Sequence, residues 1–248
     1  MNRVLLLGGT AEARALAEAL NDAGVEVVSS LAGRVTRPRM PVGEVRVGGL
    51  GGVDGLAAAL VAGGFTHLVD ATHPFAVRMT ANAGAAADAA GVPCLRLARP
   101  GWSEHPDAGC WHWVDGYEQA RGAAEGLGAL RPFITTGRQT LDHYASWADR
   151  DVVLRVVEPL DVEPPARWTV VLDRGPFDVS AERALMTEHA VDALLTKDSG
   201  GAFTSAKLTA AAALGVPVVV VRRPHVPNAM NEVARVDDVL TWLRASSR

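Results

Sequence analysis

Short aliphatic runs alternate along the chain with longer, alanine-rich amphipathic stretches. Runs without period-two alternation suit a parallel sheet covered on both faces, and the stretches between them suit crossover helices. The pattern predicts strands over residues 3–7, 25–29, 45–47, 66–70 and 93–97, with helices over 11–23, 53–62 and 75–90. A second series follows, with strands over 111–114, 132–135, 152–157, 170–173, 193–196 and 216–221 and helices over 117–127, 179–189, 203–214 and 236–243. Between the two series, residues 99–109 are rich in Pro, Gly and polar positions and lack a helical period, as a domain boundary does. The expectation is an α/β protein with mainly parallel sheets in two domains, residues 1–98 and 110–248, and a cleft between them. Element order alone leaves open whether a strand crosses from one sheet to the other.

Composition narrows the class. Hydrophobic residues at 48% and charged residues at 21% mark a globular chain rather than a disordered one. A net charge of -4 argues against a general nucleic-acid binder, which needs a broad basic surface. Two cysteines, Cys94 and Cys110, make neither a disulfide framework nor a four-ligand zinc site. His105, Cys110 and His112 sit close in sequence without a metal-binding motif, so no metal is expected. The apolar run before Gly8 is too short for a membrane span or a signal-peptide core. Cytoplasm is the default location.

Chemistry is expected where strands pass into helices. Gly8-Gly9-Thr10 follows the first run, and missing Cβ atoms there let the backbone approach a phosphate while N–H groups of the next helical turn point toward it. Thr10 can cap the helix, with Glu12 and Arg14 in its first turns. The spacing is not G-x-G-x-x-G, since Ala13 takes the close-packing position, and a tight strand-to-helix connection reads the same way. The second strand ends in Ser29 and Ser30 rather than in the acidic residue that holds an NAD ribose. Arg34, Arg37 and Arg39 follow. Arginine attracts a 2′-phosphate that a carboxylate would repel, so NADP(H) is expected over NAD(H), with Arg34 the first choice.

Asp70-Ala71-Thr72-His73-Pro74-Phe75-Ala76 leaves the strand over 66–70 at its carboxyl end, the usual ligand side of a parallel sheet. Asp70 or Thr72 could cap the next helix or fix one His73 tautomer, and His73 could donate a hydrogen bond or exchange a proton. Pro74 suits a first helical turn. Later, Thr135-Thr136-Gly137-Arg138 and Thr196-Lys197-Asp198-Ser199-Gly200-Gly201 occupy equivalent strand exits, with Lys207 in the next helix and Arg222-Arg223 after the last strand. Exposed backbone donors, a hydroxyl and several cations can hold a ligand bearing several carboxylates. Trp102, Trp111 and Trp113 are expected to pack in a core or between domains.

These motifs, in this order, resemble those of the precorrin-6A reductases, including the cobalt-precorrin-6A reductases. The resemblance runs from Val4-Leu5-Leu6-Leu7-Gly8-Gly9-Thr10-Ala11-Glu12-Ala13-Arg14 to Arg223-Pro224. It implies two Rossmann-like domains around a cleft, with strand exchange left open, and NADPH-dependent reduction of one macrocycle double bond, giving precorrin-6B in cobalamin synthesis. In that reading Gly8, Gly9, Thr10, Ala11, Arg14, Ser29, Arg34, Arg37, Asp70 and Thr72 serve the cofactor. His73, Pro74, Phe75, Thr136, Gly137, Arg138, Lys197, Ser199, Gly200, Gly201, Lys207 and Arg223 serve a polycarboxylated tetrapyrrole. His73 is the choice for proton donor, and transient contact with neighbouring pathway enzymes is a further expectation. Another NADP-dependent reductase or epimerase, or a non-catalytic nucleotide sensor, would share the scaffold.

Overall fold

The computed structural model describes residues 2–33, 39–226 and 230–246. In chain order the elements are β1 (Arg3–Leu7), α1 (Ala11–Asp22), β2 (Glu26–Leu31), β3 (Glu44–Val47), α2 (Gly52–Ala62), β4 (His67–Asp70), α3 (Val77–Ala90) and β5 (Cys94–Leu97). They continue with β6 (His112–Val114), α4 (Tyr117–Gly126), β7 (Pro132–Ile134), a 3-10 stretch (Arg138–Trp147), β8 (Val152–Val156) and β9 (Trp168–Leu172). The last are α5 (Val179–Glu188), β10 (Ala193–Lys197), α6 (Ala206–Leu214), β11 (Val218–Val221), β12 (Glu232–Val233) and α7 (Val236–Ser246).

These elements form two compact units, one of Met1–Pro100 with Pro224–Arg248 and one of Gly101–Arg223. The first holds a parallel six-stranded sheet in the order β12-β5-β4-β1-β2-β3. The second holds another, ordered β6-β11-β10-β7-β8-β9. Both follow the doubly wound pattern, in which the chain builds outward from a central strand and then crosses to that strand's other side. Strand exchange is realised in the sixth positions. β6 follows β5 in sequence yet pairs with β11, and β12 follows β11 yet pairs with β5.

The expectation that residues 110–248 lie together is therefore corrected, because 224–248 belong with the first unit. Two contacts explain the return. Val239 and Leu243 of α7 complete the apolar cluster of Val4, Leu6, Leu16, Leu20, Leu95 and Leu97. Arg96 on β5 meets Glu232 on β12, Nε to carboxylate at 3.0 Å.

The β1 run explains why a strand of four aliphatics carries no alternation. Val4 and Leu6 face the α1 and α7 side, whereas Leu5 and Leu7 join Leu56, Leu60 and Ala83 on the other. The second unit's core gathers Phe133, Val153, Leu194, Leu208, Val218 and Val220, with Trp102 and Trp111. The unit also holds a buried ion pair. Arg155 of β8 donates to Glu182 of α5 at 2.6 Å, and its guanidinium stacks 3.8 Å from the Phe177 ring centroid.

Candidate functional site

In an open α/β sheet, ligands bind beyond the carboxyl ends of the strands where strand order reverses. In the first unit that point lies between β1 and β4, and the loops leaving those strands are Gly8-Gly9-Thr10 and residues 71–76. Thr10 Oγ1 joins them, donating to the Ala71 carbonyl at 2.8 Å and accepting from the Ala13 N–H at 3.1 Å. The second contact is the helix cap that the threonine promised. Gly9 has φ +115°, and a Cβ there would meet nothing within 4 Å. The turn therefore needs glycine for its backbone and leaves open space above it. Beyond it the first turn of α1 offers N–H groups that have no intrahelical acceptor, Ala11 among them. Glu12 in that turn is held by Arg99 at 2.7 Å, a residue the sequence pattern did not single out.

Asp70 anchors the facing loop. Its Oδ1 accepts from the Thr72 N–H and hydroxyl at 3.0 and 2.6 Å, and its Oδ2 accepts from Thr80 Oγ1 at 2.7 Å and Arg96 Nη1 at 3.3 Å. Arg96 also donates to Thr80. The carboxylate is fully buried. It was expected among the cofactor ligands, but its donors come from its own chain, so it shapes the loop from beneath, and the Thr72 hydroxyl is likewise turned toward it. His73 Nδ1 accepts from the Phe75 N–H at 3.2 Å, and the His73 carbonyl accepts from Ala76. The neutral ring therefore carries its proton on Nε2. These bonds close a turn at Pro74-Phe75, and α3 starts at Val77 rather than at residue 75.

Ser29 is a correction. β2 runs to Leu31 because β3 pairs beside it through Ser29, Ser30 and Leu31. Ser29 is consequently inside the strand, 1% exposed, with its hydroxyl among the buried atoms that lack a hydrogen-bond partner, and is not displayed at the strand's end. Ser30 serves through its carbonyl, which accepts from Gly8 N–H at 2.9 Å. Arg14 is half-buried in α1. Arg34 and Arg37 lie outside the described residues.

The second unit repeats the arrangement. Its strand order reverses between β7 and β10, whose exits carry Thr135-Thr136-Gly137 and Lys197-Asp198-Ser199-Gly200-Gly201. Gly137 brings them together, since a methyl group there would lie 3.9 Å from Lys197 Nζ. Burial pushes the Lys197 ammonium down from the ordinary lysine value to about 8. Lys207 of α6 is 4% exposed. Its Nζ donates to the Thr204 carbonyl and lies 4.9 Å from the Trp102 ring centroid.

Two expected ligand side chains point elsewhere. Thr136 is buried and shares a 2.7 Å hydrogen bond with Thr140. Arg138 reaches the Pro159 carbonyl at 3.3 Å and Asp161 at 3.5 Å, because it opens the 3-10 stretch that carries it away from the β7 exit. Arg223 Nε donates to the Asp198 carbonyl at 3.1 Å and stands 3.4 Å from its carboxylate. Among the described residues, no cluster of three or more His, Cys, Asp or Glu side chains is placed to hold a metal ion. No described helix is long and apolar enough to cross a membrane.

Against known proteins, residues 3–244 match the precorrin-6x reductase CbiJ/CobK family. The chain belongs to this family. A precorrin-6A reductase of Rhodococcus erythropolis is 49% identical over 100% of both chains. One of Mycobacterium tuberculosis is 47% identical over 98% of each. A cobalt-precorrin-6A reductase of Priestia megaterium is 31% identical over 90% of this chain and 91% of that one. The solved structure of CobK precorrin-6A reductase superposes with a TM-score of 0.91 at 37% identity, covering 99% of this chain and 97% of the other. The two six-stranded sheets are thus the family's α/β architecture.

Proposed function

We propose that the protein reduces one double bond of the precorrin-6A macrocycle to give precorrin-6B, with NADPH as reductant. The observation that carries this reading is full-length similarity to precorrin-6A reductases at 47–49% identity. Identity to a cobalt-precorrin-6A reductase falls to 31%, which favours the metal-free substrate.

The Gly8-Gly9-Thr10 turn fits a dinucleotide, because the space above Gly9 is open and the α1 N-terminus favours an anion. The end of β2 presents no carboxylate to repel a 2′-phosphate, and Arg34 is the residue assigned to receive it. NADPH, when bound, supplies the hydride. Ala11 and Gly9 would hold the pyrophosphate through their backbone N–H groups. His73 is assigned as the proton donor, through Nε2, and Asp70 keeps its loop in register. Lys197, Lys207 and the backbone of Ser199, Gly200 and Gly201 would receive acetate and propionate carboxylates, orienting the macrocycle.

Purified protein supplied with precorrin-6A and NADPH should oxidise the cofactor in step with a change in the ring spectrum. Absence of reduction with intact substrate would overturn the activity, and equal turnover with NADH would overturn the role of Arg34. Arg34→Asp should raise the KM for NADPH by on the order of tenfold or more while sparing NADH. Gly9→Val, which adds a β-branched side chain at φ +115°, should likewise raise the NADPH KM on the order of tenfold or more. The precorrin-6A KM should stay put in that variant, and steady-state titration of each substrate separates the two.

A further inference from the structure

We propose that Trp102 is a positioning residue for the macrocycle's carboxylates, clamping the 197–201 loop and the Lys207 ammonium in the geometry that receives them. The proposal rests on the reading of that loop as the tetrapyrrole subsite.

Trp102 is 4% exposed and belongs to the second unit's apolar core. A tryptophan that served only as core filler would need some acceptor for its indole and some partner for its backbone. Here both partners come from one five-residue loop. The Trp102 N–H donates to Asp198 Oδ1 at 2.9 Å, and the indole Nε1–H donates to the Gly201 carbonyl at 3.3 Å. The third contact reaches the helix beyond the loop, where the Lys207 ammonium faces the same ring at 4.9 Å. Residue 102 thus holds the loop near both ends, through its backbone N–H at Asp198 and its indole at Gly201, and its ring faces one of the cations beside it.

The charge arrangement gives the clamp its purpose. Asp198 is a carboxylate set in a loop meant for anions, and turned outward it would repel the substrate. It is instead buried, with Oδ1 on the Trp102 N–H and Oδ2 3.4 Å from Arg223 Nε. Gly101 makes this approach possible, since a Cβ there would fall 2.6 Å from Asp198 Oδ2. The dipeptide Gly101-Trp102 therefore withdraws the negative charge of Asp198 into the unit's interior. No motif in the sequence marks it, because its partners lie 96 and 99 residues away.

The test compares Trp102→Phe, Trp102→Leu and Gly101→Ala with the parent, measuring kcat, both KM values and the thermal midpoint. Trp102→Phe keeps a ring over Lys207 and loses the indole donor, so the precorrin-6A KM should rise about three- to fivefold. Trp102→Leu and Gly101→Ala should raise it about tenfold or more, with kcat and the NADPH KM within about twofold of the parent. Combined with Lys207→Met, Trp102→Leu should cost less than the product of the single effects, since the ring–ammonium contact is already gone. A lowered midpoint with the precorrin-6A KM unmoved in Trp102→Phe and Gly101→Ala would make Trp102 core filler and overturn the proposal. Lys207→Met separates the levels. If it raises the precorrin-6A KM while the Trp102 and Gly101 variants do not, the clamp alone is wrong. If neither Lys207→Met nor Lys197→Met moves it, the reading of the loop falls and the clamp with it.

Discussion

Arg96→Met should lower the stability of the protein by about 3–5 kcal/mol, the cost of removing one partner of a buried ion pair. Asp70 is fully buried beneath the His73 loop, and Arg96 is its cationic partner at 3.3 Å. The substitution leaves hydroxyl and amide donors around the carboxylate and nothing to balance its charge. It also frees Glu232 and so loosens β12 from β5. At roughly 2–4 °C per kcal/mol for a chain of this size, the thermal midpoint should fall by roughly 6–20 °C. Adding Asp70→Asn to Arg96→Met should recover part of the loss, because the stranded charge goes with it. Thermal or denaturant unfolding of the single and double variants beside the parent checks both statements. A single variant within about 1 kcal/mol of the parent would show that the network contributes little.

The second large effect is on pH. Lys197 titrates near 8 because burial penalises its charged form. Where Lys197 receives a substrate carboxylate, as proposed, the ammonium is the binding form, so the precorrin-6A KM should rise by up to about tenfold per pH unit once pH exceeds about 8. Lys197→Arg, which stays charged, should flatten that limb, and Lys197→Met should hold the KM high at every pH. The ligand-free protein should respond in the opposite sense. The folded-state pKa lies below the ordinary lysine value of 10.5, so between about 8 and 10.5 the unfolded chain binds more protons. Folding stability contributed by this residue therefore rises with pH across that window. A substrate KM independent of pH between 7 and 9 would exclude Lys197 from the carboxylate site.

Much of the architecture was legible because buried parallel strands write themselves as aliphatic runs. Val4-Leu5-Leu6-Leu7, ending at Gly8, marks β1, and the run over 216–221 marks β11, which starts two residues later, at Val218. Both candidate loops were visible for a related reason, since glycines, hydroxyls and lysines interrupt the pattern where strands end. What escaped depends on partners distant in sequence. β12 is two residues long, Glu232–Val233, too short to carry a period, and its place is fixed by pairing with Arg96 and Leu97. The helix pattern of α7 showed an apolar face in Val239 and Leu243 but not that Leu16 and Leu20 would meet it. Ser29 was misplaced because the strand's end depends on how far β3 pairs alongside. Asp70 was expected both among the cofactor ligands and as an organiser of its loop, and the partners that enclose it, Thr80 and Arg96, lie beyond the motif.

The return of β12 and α7 to the first sheet also has a consequence for the order in which the protein can be made. On the ribosome β1 to β5 emerge early, but the cluster around Val4, Leu6 and Leu95 lacks Val239 and Leu243 until after β6 to β11 have been made. Every strand of the second sheet has by then left the tunnel or is leaving it. The first half of the chain is thus the first to begin folding and cannot be the first to finish. Until β12 and α7 arrive, the β5 edge is an unpaired template open to nascent neighbours.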